Sequence, residues 1–206
     1  MKKILTGWCL LAVLSLSGCR TPSFSEAEKF PSFPDSLLRE GDLVFRRGEG
    51  LTSRAVLLAD HHSVYSHTGI VVRGGTEWQV IHIVPGEPDQ NGDRDRIKME
   101  SLDRFFAPER AVKGAVMRPY DSPTAALAAR QAVRLLGKGI LFDHTYNLDD
   151  TTRMYCTELI QRIFQMEGID LTEGKRSRIN FPGFRGDYIL PGDIQRSPYL
   201  KMICEF

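Results

Sequence analysis

Short apolar runs and longer helix-spaced stretches alternate along this chain. Leu43-Val44-Phe45, Thr68–Val72, Trp78–Val84 and Ala115–Arg118 are compact runs bounded by turn residues, and they read as strands. Thr52 or Ser53 can cap a helix through about Ala59, with Ala55, Val56, Leu58 and Ala59 inward. Ser122-Pro123 starts a second helix, with Ser as cap and Pro in the first turn; it runs past Ala125–Ala129 and Val133 to Leu136 and ends at Gly137. From Cys156 onward, Leu159, Ile160, Ile163 and Phe164 fall on one helical stripe, and Gly168 supplies a stop. Ser101–Phe106 reads as a helical turn, and Pro85–Ile97 and Leu141–Arg153 as loops. Chain after Gly168 reads as irregular, with Ile189–Ile194 turning into a last short strand. The pattern predicts an α+β domain: a small, mainly antiparallel, partly closed sheet packed against the Cys156 helix.

The second and third strands form the most informative pair. Gly74-Gly75 lies between them and is a hairpin signal. Taking those two glycines as the loop pairs Arg73 with Thr76 and places His67 directly opposite His82, with Cβ atoms about 4.5–5.5 Å apart. A register slip of one residue would put the two rings on unlike faces.

Composition adds bounds. The 206 residues are 42% hydrophobic and 26% charged, as in an ordinary globular domain. The net charge of +1 gives no footprint for nucleic acid. The first residues stand apart: Lys2 and Lys3 precede an apolar stretch from Leu10 to Leu16, too short for a membrane span and laid out as a secretory signal. Leu16-Ser17-Gly18-Cys19 resembles a bacterial lipobox, which implies cleavage before Cys19 and lipid on its sulfur. The expected organisation is signal peptide 1–18, tether 19–38 and one domain over 39–206. Loss of Lys2 and Lys3 takes the net charge from +1 to −1. Acyl chains on Cys19 would hold the protein to a bilayer facing the periplasm; Arg20 in place of Asp after the cysteine implies the outer membrane if the host is enterobacterial.

Two cysteines, Cys156 and Cys204, then stand in the exported domain, and a disulfide between them competes with a chemical role for Cys156. A thiol at a helix N-terminus sees the positive end of the macrodipole, which favours the thiolate. Cysteine hydrolases need such a thiol, a histidine within reach and a third group that fixes the imidazole tautomer. Cys156, His67 and His82 supply the three, with His67 as base and His82 as orienting group, and the Cys156 N–H as oxyanion donor. The competing use of two histidines on one face is as zinc ligands; no third ligand stands at a familiar spacing unless His61-His62 contribute. His61, His62 and His144 read as exposed loop residues, Asp149-Asp150 as a solvated turn, and Glu158 as a partner for backbone or Arg. No metal and no cofactor is expected.

Gly41-Asp42-Leu43-Val44-Phe45, Tyr65-Ser66-His67-Thr68-Gly69-Ile70 and Tyr155-Cys156-Thr157-Glu158 resemble the bacterial permuted papain-like amidases of the NlpC-type cysteine peptidase superfamily. The resemblance runs from about Gly41 to Ile194, and the order His, polar residue, Cys fits a circular permutation. It implies a permuted papain-like fold, Cys156 as nucleophile and His67 as proton acceptor. In many relatives the third group is a Glu on the second strand; His82 stands there instead. Relatives often carry Tyr-Asp before the nucleophile, where this chain has Phe142-Asp143, so Tyr65 or Tyr155 is the expected substitute donor. Val80–Pro85 also resembles the lecithin–retinol acyltransferase-like proteins, which use a second His. The expected activity is amide hydrolysis through an acyl-enzyme on cell-wall peptides, acylated amino acids or lipid amides. Acyl transfer on a lipid and a catalytically silent envelope binding module are the alternatives.

Overall fold

The computed structural model describes residues 36–181 and 184–206; the signal peptide, Cys19 and nearly all of the tether fall outside the described residues. Along the chain come β1 (Leu43–Arg47), α1 (Leu51–Ala59), β2 (His67–Gly74), β3 (Glu77–Ile83), β4 (Ile97–Ser101), α2 (Leu102–Phe105) and β5 (Lys113–Pro119). Then follow α3 (Ser122–Lys138), β6 (Leu141–Phe142), β7 (Arg153–Met154), α4 (Cys156–Gln165), β8 (Ser177–Phe181), β9 (Phe184–Tyr188), α5 (Pro191–Gln195) and β10 (Leu200–Glu205). Six strands make one antiparallel sheet in the order β10-β5-β1-β2-β3-β4.

Both faces of this sheet are covered, which is why its central strands read as nearly unbroken apolar runs. Leu43, Phe45, Ile70, Val72, Ile81 and Ile83 share a core with α3 and with Leu159, Ile160, Ile163 and Phe164 of α4. On the opposite face Val44, Val71, Val80 and Val116 pack with Phe105 and Phe106. Gly41-Asp42 ties the sheet together at the start of β1. The fully buried Asp42 carboxylate accepts from Arg118 Nε (2.8 Å) and Nη2 (2.7 Å) and from the Arg39 N–H (2.9 Å). That fork joins the first strand to β5.

Several expectations are corrected. The hairpin loop is Gly75-Thr76, closed by Gly74 opposite Glu77, with Gly75 at φ 71°. The predicted loop was one residue earlier. Moving it by one changes the pairing by two, so His67 and His82 keep a common face but become diagonal neighbours. Strand β4 was missed because its alternation is inverted: Lys98 and Glu100 are buried while Met99 is exposed. Asp121, not Ser122, caps α3 by accepting from the Thr124 N–H, and the helix continues through Gly137 to end at Gly139, φ 64°. The chain after Gly168 holds the β8–β9 hairpin, and Pro191–Gln195 is helical, not a turn into a strand. No residue of α1 is buried, and Leu58, expected inward, is largely exposed.

Candidate active site

Met154 and Tyr155 lead directly into α4, so Cys156 is the first helical residue and the first-turn N–H groups face it without a side-chain cap. Helix α4 packs on β2 and β3. The backbone N–H groups of Thr68, Thr157 and Cys156 itself favour a thiolate on the sulfur, as does the Arg46 guanidinium. Burial outweighs all of them and pushes the thiol up to about 11. The resting sulfur is therefore protonated, against the expectation from the helix dipole alone. Cys156 and Cys204 are both free thiols, which removes the disulfide alternative.

His67 and His82 are brought together. His67 Nε2 lies 2.8 Å from His82 Nδ1. The diagonal reach is possible because Gly69 stands opposite His82. A Cβ at Gly69 would come within 2.5 Å of Val80 Cγ1 and 3.1 Å of His82 Cβ. The Phe105 ring covers both imidazoles at 5.6 and 5.1 Å. Burial, reinforced by Arg46, drives the His67 pKa well below its ordinary value. Burial also lowers His82 to about 4, despite the opposing pull of Glu100. Both rings are neutral at neutral pH.

Glu100 was missed by the sequence reading. Its Oε1 lies 3.0 Å from His82 Nε2, a contact between a carboxylate and a neutral ring that falls short of a well-aligned hydrogen bond. Lys98 (3.3 Å), Arg104 (3.2 Å) and Arg110 (3.0 Å) surround the same carboxylate. Burial alone would raise its pKa, but the contact to His82 together with Lys98 and Arg110 prevails and holds it far below the usual carboxylate range. Arg46, opposite His67 in the ladder, donates to the Phe105 carbonyl at 2.7 Å and pairs with Glu87. Spacing offered little warning of Glu100; the one signal was two charged residues alternating with Ile97 and Met99.

A cavity of about 580 Å³ opens where β1, β2 and β3 end, and both Cys156 and His67 line it. Its walls include Val56, Leu58, Ala59, Ile83, Phe142 and Leu190. The apolar residues of α1 are thus a cavity wall, which explains why they are not buried. Tyr146 also lines the cavity, at φ 54°, a left-handed conformation rare for a bulky residue. Asp143 holds this turn by accepting from the Thr145 N–H (2.8 Å) and from the Asn147 N–H. Burial and the nearby Cys156 raise the Tyr146 phenol to about 12. Of the two tyrosines expected as oxyanion donors, Tyr65 has its hydroxyl proton engaged elsewhere, while Tyr155 lines the cavity. Tyr65 donates to Glu205 at 2.9 Å, and the Tyr155 oxygen accepts from the Ile189 N–H at 2.9 Å.

Glu158 pairs with Arg162 at 3.0 Å, as expected, and burial raises its carboxyl to about 7. His61, His62 and His144 are exposed. Among the described residues no three His, Cys, Asp or Glu side chains gather as a metal site.

A cysteine opening a helix, a histidine of the sheet lining one cavity with it, and the histidine strands preceding the cysteine helix in sequence define a permuted papain-like cysteine hydrolase. The family of permuted papain-like amidase enzymes of the YaeF/YiiX type, C92, matches residues 37–181, and the chain belongs to it. The fold is similar to the crystal structure of metalloprotein yiiX from Escherichia coli O157:H7, with a TM-score of 0.64 and 21% identity. That likeness covers 82% of this chain and 97% of the other. No curated protein matches the chain.

Proposed function

We propose that the protein is an amidase that cleaves acylated amines through an acyl-enzyme on Cys156. The observation that carries this reading is the shared cavity: the thiol and the His67 ring border one apolar space. As Cys156 Sγ attacks the carbonyl carbon, its proton passes to His67 Nδ1 and the carbonyl π pair moves to oxygen. The Cys156 N–H and the Tyr146 phenol, protonated to about pH 12, are the donors for that oxyanion. Collapse breaks the C–N bond, and the leaving amine takes the proton from His67. Water then adds to the thioester, losing a proton to His67, and expels the sulfur, which recovers it. His82 holds His67 throughout.

The apolar walls favour a substrate with an acyl chain, an acylated amino acid or a lipid amide, over a cell-wall peptide. They also favour the second reading, in which a lipid alcohol or amine replaces water as the acyl acceptor. Lipidation of Cys19 would place the site at the envelope membrane, beside such substrates.

The test is incubation of the full chain with acyl-amides of graded chain length, alongside a thiol-directed probe. Turnover should rise with chain length and be lost in Cys156→Ala, and peptide mapping should find the probe on Cys156, counted apart from the free thiol of Cys204. Turnover retained in Cys156→Ala, or no turnover of any acyl-amide by wild type, refutes the amidase reading. Mass spectrometry separates a free acid product from acyl transfer to added lipid, and reports whether the mature chain begins at an acylated Cys19.

A further inference from the structure

The two histidines form a chain whose direction their rings alone do not fix. A neutral imidazole carries one proton, on either nitrogen, so two arrangements satisfy the 2.8 Å contact between His67 Nε2 and His82 Nδ1. In one, His67 donates to His82 and leaves its own Nδ1 with a bare lone pair. In the other, His82 donates to His67, and His67 Nδ1 carries the hydrogen. Only the first can accept a proton from Cys156.

We infer that Glu100 is the positioning residue that selects the productive arrangement, acting through His82. Its carboxylate stands 3.0 Å from His82 Nε2, a buried nitrogen with no well-aligned hydrogen-bond partner among the described residues. An ionised carboxylate only accepts. A lone pair pointed at it would be repelled, so His82 Nε2 bears the hydrogen and His82 Nδ1 is the acceptor. His67 Nε2 must then be the donor, and His67 Nδ1 is left free for the thiol. Lys98, Arg104 and Arg110 keep Glu100 ionised and hold it in place. His82 is fully buried and packed by Phe105, so bulk water does not compete for its nitrogens. When His67 becomes charged during the reaction, the same carboxylate, one ring away, stabilises it without taking the proton.

This inference rests on the proposed amidase reading for its catalytic meaning, but its test does not. Isotope-labelled histidine in the full chain reports, by multiple-bond NMR correlations, which nitrogen of each ring is protonated. Spectra are taken at about pH 8, above the ordinary histidine range. Wild type should show the hydrogen on Nε2 of both rings. In Glu100→Gln, whose amide can donate as well as accept, His67 should shift wholly or partly to the Nδ1–H form. Acyl-amide turnover should fall about a hundredfold in kcat with KM little changed. Arg104→Gln, which weakens the ion cluster but leaves the carboxylate, should keep the wild-type spectrum. A wild-type His67 with the hydrogen on Nδ1 overturns the inference, and that measurement decides even if Glu100→Gln does not fold. So does a folded Glu100→Gln with the wild-type tautomer and turnover. If wild type turns over nothing, the amidase reading fails while the tautomer spectra still decide for or against Glu100.

Discussion

The resting thiol should be inert in acid and neutral solution. Its pKa near 11 lies about two and a half units above an ordinary cysteine of about 8.5, which amounts to about 3 kcal/mol of penalty on the thiolate. The perturbation is pH, and the assay is alkylation of Cys156 by a small neutral electrophile such as iodoacetamide, read by mass spectrometry. At about pH 8 only about one sulfur in a thousand is ionised, against roughly a quarter for a free cysteine of pKa about 8.5. Alkylation should therefore be a few hundredfold slower than for a free thiol at that pH. It should climb about tenfold per unit toward an inflection near 11. The alternative is a preformed thiolate–imidazolium pair, in which the helix N-terminus and Arg46 prevail over burial. That pair would give a fast, flat profile from acid upward. A plateau extending below about pH 7 would refute the argument that burial dominates, and with it the reading of His67 as a base that acts only during attack.

His67→Ala and His82→Ala should each lower acyl-amide turnover, by about 10²–10⁴-fold for His67, where the acceptor itself is lost, and by less for His82. Asp42→Asn should destabilise the fold by about 3 kcal/mol, because it leaves Arg118 without its bidentate partner; thermal melting reports this, and thiol alkylation of the folded fraction should be unchanged. Stability should depend on acid through His82, whose folded pKa of about 4 lies below the ordinary 6.5. Between those values the unfolded chain binds the proton and the native one does not, so this contribution is full above pH 6.5 and falls by up to about 3 kcal/mol as pH drops to about 4. Glu158, raised to about 7, acts in the opposite sense, losing stability as pH rises from about 4.5 to about 7. Denaturant midpoints of His82→Gln against wild type isolate the first effect; equal pH slopes would refute it.

Much of the site could be read from the residue order. The stripe from Leu159 to Phe164 fixed Cys156 at a helix start, because α-periodicity is local. The shared face of His67 and His82 followed from period two, and it survived an error in the loop because moving the loop by one residue preserves parity. The inverted β4 and the β8–β9 hairpin were not legible. In β4 Lys98 and Glu100 are buried along with Ile97, and the burial of these charges is tolerated only because Arg104, Arg110 and His82 arrive from other elements.

The sequence by itself determined the secondary elements that carry the thiol and both imidazoles, since periodicity and turn chemistry act over a few neighbouring residues. Tertiary structure alone decided the rest: that the thiol is held protonated, that the histidines meet diagonally across Gly69, that Glu100 stands behind them, and that α1 walls an apolar cavity. The protonated thiol and the placement of Glu100 depend on desolvation and charge contacts, the diagonal meeting on the strand register and the cavity wall on packing, and all of these come into being only when the chain folds together.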